Sequence, residues 1–364
     1  MQMIRVLIAD DSGTIALMIR SILEHEPDIE VIGHARDGEE AVRLTRELKP
    51  DLVTMDICMP VLDGLEATRR IMVEQPTPIV VVASNVNDQE TMISFRALEE
   101  GALAVLEKPG GMDQEMDIDS YQELVATVRA MASLQVVRRN RRQPQGKGRA
   151  NPPAPARGVR RAFDLIAIGC STGGPQALAV ILAGLPAGFS VPIVIVQHIS
   201  VGYLNGLIDW LQQSVELELK LAANGEELRP GVVYFAPDER HLKVRRTGGL
   251  LLAELFDGEP VNRFRPSSTP LMESVAAACP GNAIGVLLTG MGVDGGEGLL
   301  RMRQAGCHTI VQDRDSSVVY GMPETALGLD AVDRIVALEH IAAYLGDAAG
   351  HQADATTSTE NQLA

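Results

Sequence analysis

Two groups of residues in this 364-residue sequence have the types and spacing of reactive sites. In the first, short apolar runs stop at acids: IRVLIA (4–9) ends against Asp10 and Asp11, and DLVTMD (51–56) ends on Asp56. Carboxylates brought together repel one another unless a hard cation sits among them, and Mg2+ prefers carboxylate oxygens, keeps several waters and bridges to phosphate. Ser84 closes PIVVVAS (78–84) and offers a hydroxyl to a phosphate oxygen, while Lys108, just before Pro109, supplies a matching cation. Together they describe an acyl-phosphate pocket. Any one of them is an ordinary strand-end residue; the set in this order is not.

The second group starts at Gly169-Cys170-Ser171-Thr172-Gly173, which fits G-x-S-x-G, the sharp strand-to-helix turn that exposes a nucleophile. Backbone N–H groups at such a turn can bind an oxyanion. Glycine-rich turns of this kind also bind phosphate, so the motif alone leaves both readings open. A serine needs a base, and His198 ends the next apolar run, PIVIVQH (192–198), where neighbouring strand ends bring two side chains together. His25, His34, His241, His308, His340 and His351 read better as structural histidines. A carboxylate to orient the imidazole is offered by Asp294 in TGMGVDGG (289–296), although an aspartate in that turn could equally cap the following helix. The chain order Ser, His, Asp differs from the Ser, Asp, His of α/β-hydrolases and argues for a separate fold.

Positioning these residues requires parallel strands. From residue 4 to about 137, β-branched runs at 4–9, 29–34, 51–56, 78–84 and 102–107 alternate with segments of helical period. Five βα units imply a parallel sheet with helices on both faces, whose ligands bind at the carboxyl ends of the strands. The alternation resumes from Ala162 with runs at 164–169, 192–198, 232–237, 283–290 and 308–313. Strand-like segments around 217–255 lack long helices between them and suggest an antiparallel patch on a mostly parallel sheet.

Between the two halves, residues 138–161 hold nine Lys or Arg, four prolines and no acid. Such a run suits nucleic-acid or membrane contact or a solvated hinge; between two acidic domains the hinge is the reading adopted here. The polar stretch from about 348 to 364 reads as a disordered tail. The expected division is therefore 1–125, a helix end and basic linker at 126–161, a second domain at 162–347, and the tail. A net charge of −16 argues against a nucleic-acid partner. Cys58, Cys170, Cys279 and Cys307 form no CxxC and no zinc-type cluster, which suits a reducing cytosol. No apolar stretch approaches membrane-spanning length and the N-terminus has no signal-peptide pattern, so a cytoplasmic protein without membrane insertion is expected.

Residues 1 to about 125, through ADDS (9–12), MDICMPVLDG (55–64), VAS (82–84) and EKPG (107–110), resemble the receiver domain of two-component response regulators. The resemblance implies a flavodoxin-like fold of five parallel strands, Asp56 as phospho-acceptor, Mg2+ held by Asp10, Asp11, Asp56 and the backbone carbonyl of Cys58, and Ser84 and Lys108 as the phosphate switch. A sensor histidine kinase would be the phosphodonor. Val105 departs from it, standing where the family often has an aromatic residue.

Residues of about 162–345 resemble the catalytic domain of the chemotaxis protein-glutamate methylesterases (CheB-type). The matching segments are IGCSTGGP (168–175), VQHIS (196–200), YFAPDERHL (234–242), RPSS (265–268), GVLLTGMGVDG (285–295) and QDRDSSVVYGMP (312–323). That resemblance implies a Rossmann-like domain without a cofactor, with Ser171 as nucleophile, His198 as base, Asp294 as its partner, and Thr172 and Met291 lining an oxyanion and substrate site. It further implies hydrolysis of glutamate methyl esters, and deamidation of glutamine, on the cytoplasmic domains of methyl-accepting chemoreceptors. Thr269 stands where that family commonly has an aspartate. Two rival readings remain at the level of sequence: a response regulator whose second domain only binds a partner, and a phosphate- or dinucleotide-binding domain using the STGG turn, against which the absent G-x-G-x-x-G weighs.

Overall fold

The computed structural model describes residues 3–84, 88–110, 118–132, 134, 163–348 and 350; the basic linker at 138–161 and the tail from 351 lie outside them. The first half runs β1 (Ile4–Ala9), α1 (Gly13–Glu24), β2 (Ile29–Ala35), α2 (Gly38–Leu48), β3 (Leu52–Met55), α3 (Gly64–Glu74), β4 (Ile79–Ala83), α4 (Asp88–Glu100), β5 (Ala104–Glu107) and α5 (Ile118–Ala132). Its strands are parallel in the order β2-β1-β3-β4-β5. Every residue of β3 and β4 is buried, as expected where helices cover both faces. Helix starts follow local chemistry: Asp37 and Asp63 accept hydrogen bonds from the backbones of Glu40 and Glu66, each at 2.8 Å.

The second half runs β6 (Leu165–Cys170), α6 (Gly174–Ala183), β7 (Ile193–Gln197), α7 (Leu204–Gln212), β8 (Glu218–Leu221), β9 (Val232–Phe235), β10 (His241–Thr247) and β11 (Leu250–Phe256). It continues through α8 (Ser268–Ala278), β12 (Ala283–Leu287), α9 (Gly296–Gln304), β13 (His308–Gln312), α10 (Gly321–Gly328), β14 (Arg334–Val336) and α11 (Leu338–Ala348). Seven strands lie in the order β14-β13-β12-β6-β7-β9-β8, all parallel. Of the segments near 217–255 expected to be antiparallel, only β10 and β11 are, as a hairpin forming a sheet of its own; β8 and β9 join the parallel sheet.

Both sheets wind outward in two directions from a central strand, and each reversal opens a crevice beyond the carboxyl strand ends. In the first sheet it lies between β1 and β3, and in the second between β6 and β12. The two halves meet with α4 against α7. Trp210, the sole tryptophan, stacks on Phe95 with centroids 6.0 Å apart and donates from Nε1 to Glu99 Oε1 at 2.8 Å. Gln176 Nε2 donates to the carbonyls of Ala102 and Leu103, at 3.3 and 3.1 Å. The Tyr203 hydroxyl, fully buried, donates to the Ala83 carbonyl at 2.6 Å.

Candidate active site

Ser171 leaves the end of β6 in a turn that only glycine can complete. Gly173 has φ of 80°, and a Cβ there would stand 2.6 Å from Val318 Cβ. The Ser171 N–H donates to the Thr289 carbonyl at 3.1 Å, and its own carbonyl accepts from Gly174 N at 2.7 Å and Gln197 Nε2 at 3.0 Å. The loop after β12 abuts the serine because residue 290 lacks a side chain: a Cβ on Gly290 would lie 2.8 Å from Ser171 Cβ.

His198 follows β7, the neighbour of β6, and its Nε2 lies 2.9 Å from Asp294 Oδ2. Asp294 follows β12, the neighbour of β6 on the other side. An ionised carboxylate accepts, so Nε2 donates to Asp294, and the buried Nδ1 has no hydrogen-bond partner among the described residues. With Nε2 bonded to the carboxylate, Nδ1 is the nitrogen turned away from Asp294 and the one through which this imidazole could act as a base.

Asp294 is fully buried and saturated with donors. Its oxygens accept from Ser267 Oγ at 2.6 Å, Ser268 N at 2.6 Å, Thr269 Oγ1 at 2.9 Å and Asn262 Nδ2 at 3.1 Å. Burial alone would push this carboxyl up; His198, Ser267 and Ser268 outweigh it and hold it well below the usual carboxylate range. Thr269 serves twice, since its hydroxyl also accepts from Gly295 N at 2.9 Å. An aspartate at 269 would place a second buried carboxylate against the first, whereas the threonine supplies the donor. His241 stands one layer further out: its Nδ1 accepts from Ser267 N at 3.2 Å, which fixes Nε2 as donor to the Glu259 carbonyl at 3.0 Å.

At the carboxyl ends of β1 and β3, ligand oxygens of Asp10, Asp11 and Asp56 all lie within 4.8 Å of one another. Lys108 Nζ sits 2.9 Å from Asp56 Oδ2 and 3.0 Å from Asp10 Oδ2, the latter without an aligned hydrogen bond. One ammonium cannot neutralise three carboxylates, so burial pushes the Asp56 carboxyl above its usual range despite Lys108. For Lys108 burial works downward, but the neighbouring carboxylates of Asp56 and Asp10 leave the ammonium above its ordinary value. Asp10 Oδ2, buried and poorly satisfied, together with an all-oxygen donor set, fits a hard divalent cation. Cys58 N donates to Asp56 Oδ1 at 3.4 Å, and Ser84 lies half-buried just past β4.

The family CheB methylesterase matches residues 166–345, and the family response regulator receiver domain matches residues 6–118. A protein of Syntrophus aciditrophicus (strain SB) called protein-glutamate methylesterase/protein-glutamine glutaminase 1 is 44% identical over 354 residues, 96% of this chain and 99% of that one. The chain belongs to the protein-glutamate methylesterase/protein-glutamine glutaminase family. A Myxococcus xanthus (strain DK1622) relative, methylesterase/glutaminase 4, is 47% identical over 95% of this chain and 97% of its own. The crystal structure of the Thermotoga maritima CheB methylesterase catalytic domain superposes with a TM-score of 0.50 at 34% identity, covering 51% of this chain and 98% of that one.

In this member of the methylesterase/glutaminase family, a cavity at the junction of the two domains is walled by Ser171, Thr172 and His198 on one side and by Phe95, Leu98 and Val105 on the other. Val105, the departure noted in the receiver segment, thus shares this cavity with Ser171. Met291 lies half-buried in the loop that carries Asp294 and is not among the described residues walling that cavity. Sequence reasoning missed Gln197, Asn262, Phe264, Ser267 and Thr289. Gln197 and Thr289 were each legible as a polar residue closing an otherwise apolar run, but that the Thr289 hydroxyl donates to the Thr172 carbonyl at 2.9 Å was not.

Proposed function

We propose that this chain hydrolyses γ-glutamyl methyl esters, and deamidates glutamine, on the cytoplasmic domains of chemoreceptors, with Ser171, His198 and Asp294 as its triad. The observation that carries the reading is the convergence of three adjacent strand ends: Ser171 after β6, and a His198–Asp294 pair at 2.9 Å spanning β7 and β12. His198 Nδ1 takes the Ser171 proton as Oγ attacks the ester carbonyl. The developing oxyanion faces the backbone N–H groups next to Thr172, since those of Ser171 and Gly174 are already bonded to the Thr289 and Ser171 carbonyls, with Thr172 and Met291 bordering the substrate. The tetrahedral intermediate expels methanol, protonated by His198, or ammonia where the substrate is an amide. Water then gives a proton to His198 and its oxygen to the acyl carbon, releasing free glutamate and Ser171.

In the receiver domain Asp56 is the phospho-acceptor for a sensor histidine kinase. Mg2+ bound by Asp10, Asp11, Asp56 and the Cys58 carbonyl would offset the charge of an incoming phosphoryl group. Lys108 and Ser84 engage phosphate oxygens in this reading, Lys108 from its position 2.9 Å from Asp56 Oδ2. The receiver covers the catalytic cleft through Phe95, Leu98 and Val105, so a folded receptor helix has access only when the domains separate. Phosphorylation shifts the population toward that open state. No described helix is long and apolar enough to cross a membrane; the proposed site of action is the cytoplasm.

Methanol release from methylated receptor membranes, with and without a small-molecule phosphodonor, tests both halves. Ser171→Ala is expected to abolish release, and Asp56→Ala to abolish only the stimulation. Undiminished release by Ser171→Ala would overturn the mechanism, and a folded fragment lacking residues 1–140 that is no faster than unphosphorylated full-length protein would overturn the occlusion.

A further inference from the structure

Val261 to Phe264 form a hairpin with a two-residue tip. Val261 and Phe264 exchange both backbone hydrogen bonds at 3.0 Å, and Asn262 and Arg263 have φ of 53° and 73°. Two successive left-handed residues suit Asn-Gly, so Arg263 is held there against its backbone preference. Such conformations persist only where the surroundings over-determine them. Here three consecutive side chains do so, each toward a different part of the protein. Asn262 Nδ2 donates to Asp294 Oδ1 at 3.1 Å and to Thr269 Oγ1 at 3.2 Å. Arg263 Nη2 donates to Gln122 Oε1 on α5 of the receiver at 2.6 Å. The Phe264 ring lies on the His198 imidazole, with centroids 3.7 Å apart and planes 7° from parallel.

A spacing of 3.7 Å is van der Waals contact between the rings. The phenyl therefore covers one imidazole face and sets its tilt, while Asp294 sets its rotation through Nε2. Tilt and rotation together decide where Nδ1 points. We propose that the 261–264 hairpin is a positioning element for His198 and Asp294, through Phe264 and Asn262, and that Arg263 at its tip latches the receiver over the site it aligns. The inference rests on the triad reading given above. Phe264 contributes no atom to the reaction; it acts by positioning His198.

The test measures kcat and KM for methanol release by the full chain across pH, together with the His198 Cε1–H resonance. Phe264→Leu, which keeps apolar bulk and removes the flat ring, is expected to lower kcat about three- to tenfold with and without phosphodonor, the ratio an aromatic contact typically supports. KM stays unchanged, the pH profile moves, and Phe264→Tyr restores wild-type behaviour. In the wild type the phenyl face shifts His198 Cε1–H upfield of the other histidines, and Phe264→Leu removes that shift. Gln122→Ala, in the receiver, raises the unstimulated rate and leaves the stimulated rate as it was. A wild-type His198 resonance without the upfield shift overturns the proposal whether or not the variants fold. So does Phe264→Leu with wild-type kcat and pH profile; a Gln122→Ala protein with an unchanged unstimulated rate overturns the latch. Inactive Ser171→Ala beside an unaffected Phe264→Leu sinks the hairpin alone, whereas active Ser171→Ala sinks the triad and the hairpin with it.

Discussion

The two sites of this chain occupy equivalent places, each in the crevice where a parallel sheet reverses its winding, yet their electrostatics are opposite. Around Asp56 three carboxylates share one lysine, Asp10 Oδ2 lacks an aligned hydrogen bond, and burial raises the Asp56 carboxyl. Around Asp294 one carboxylate is met by Ser267, Ser268, Thr269, Asn262 and His198, and its proton affinity is depressed. The first site is left incomplete by the protein and suits incoming charges, a cation and a phosphoryl group. The second is completed by the protein itself and suits a carboxylate that must stay ionised while its histidine gains and loses a proton.

The contrast can be broken most severely at Asp294. Asp294→Asn keeps the shape but cannot hold Nε2–H as donor, and kcat for methanol release is expected to fall about 10⁴-fold, the effect of the same change in a Ser-His-Asp protease. If kcat falls less than tenfold, Asp294 is a helix-start aspartate and not part of the triad. At the receiver site, stripping divalent cations with a chelator is expected to abolish stimulation by the phosphodonor and to leave the unstimulated rate intact. Stimulation that survives the chelator would show that the protein alone satisfies that pocket.

A smaller effect is expected at Thr269. Thr269→Val removes a donor to Asp294 and strands the Gly295 N–H, costing about 1–3 kcal/mol of stability at neutral pH. Because Asp294 titrates lower in the folded chain than unfolded, its contribution is present above the ordinary carboxylate range and is lost as pH falls through the folded value. The gap in Tm between wild type and Thr269→Val should therefore narrow in acid; a gap that widens there would contradict the ionised Asp294. The smallest effect belongs to the domain junction. Tyr203→Phe deletes the bond to the Ala83 carbonyl, which Lys108 N still engages at 2.9 Å, so about 0.5–1.5 kcal/mol of docking is lost. The unstimulated rate should rise roughly two- to tenfold, with a matching change in Trp210 fluorescence, since 1.4 kcal/mol is a factor of ten. An unchanged rate and spectrum would remove Tyr203 from the docking interface.

Most strands were legible as β-branched runs because parallel strands covered on both faces need continuous apolar sequence. β14 was not, since Arg334–Val336 is short and largely exposed, and only its pairing with β13 makes it a strand. The β10–β11 hairpin was legible as antiparallel but not as a separate sheet, which depends on where α8 packs beneath it.

Ser171, His198, Asp294, Asp10, Asp11, Asp56 and Lys108 stood out because each follows an apolar run, and strand-end chemistry is written in a few consecutive residues. The sequence alone thus determined the βα framework and which reactive groups lie at its strand ends. Only the tertiary structure decided which nitrogen of His198 meets the carboxylate, how many donors surround Asp294, that Phe264 lies on the imidazole, and that Phe95, Leu98 and Val105 wall the cleft beside Ser171. The physical reason is range: periodicity and turn chemistry act over a few residues. By contrast, the contacts that orient and cover this site join groups from 25 to 141 positions apart, as with Thr269 to Asp294 and Gln122 to Arg263, and packing alone brings them together.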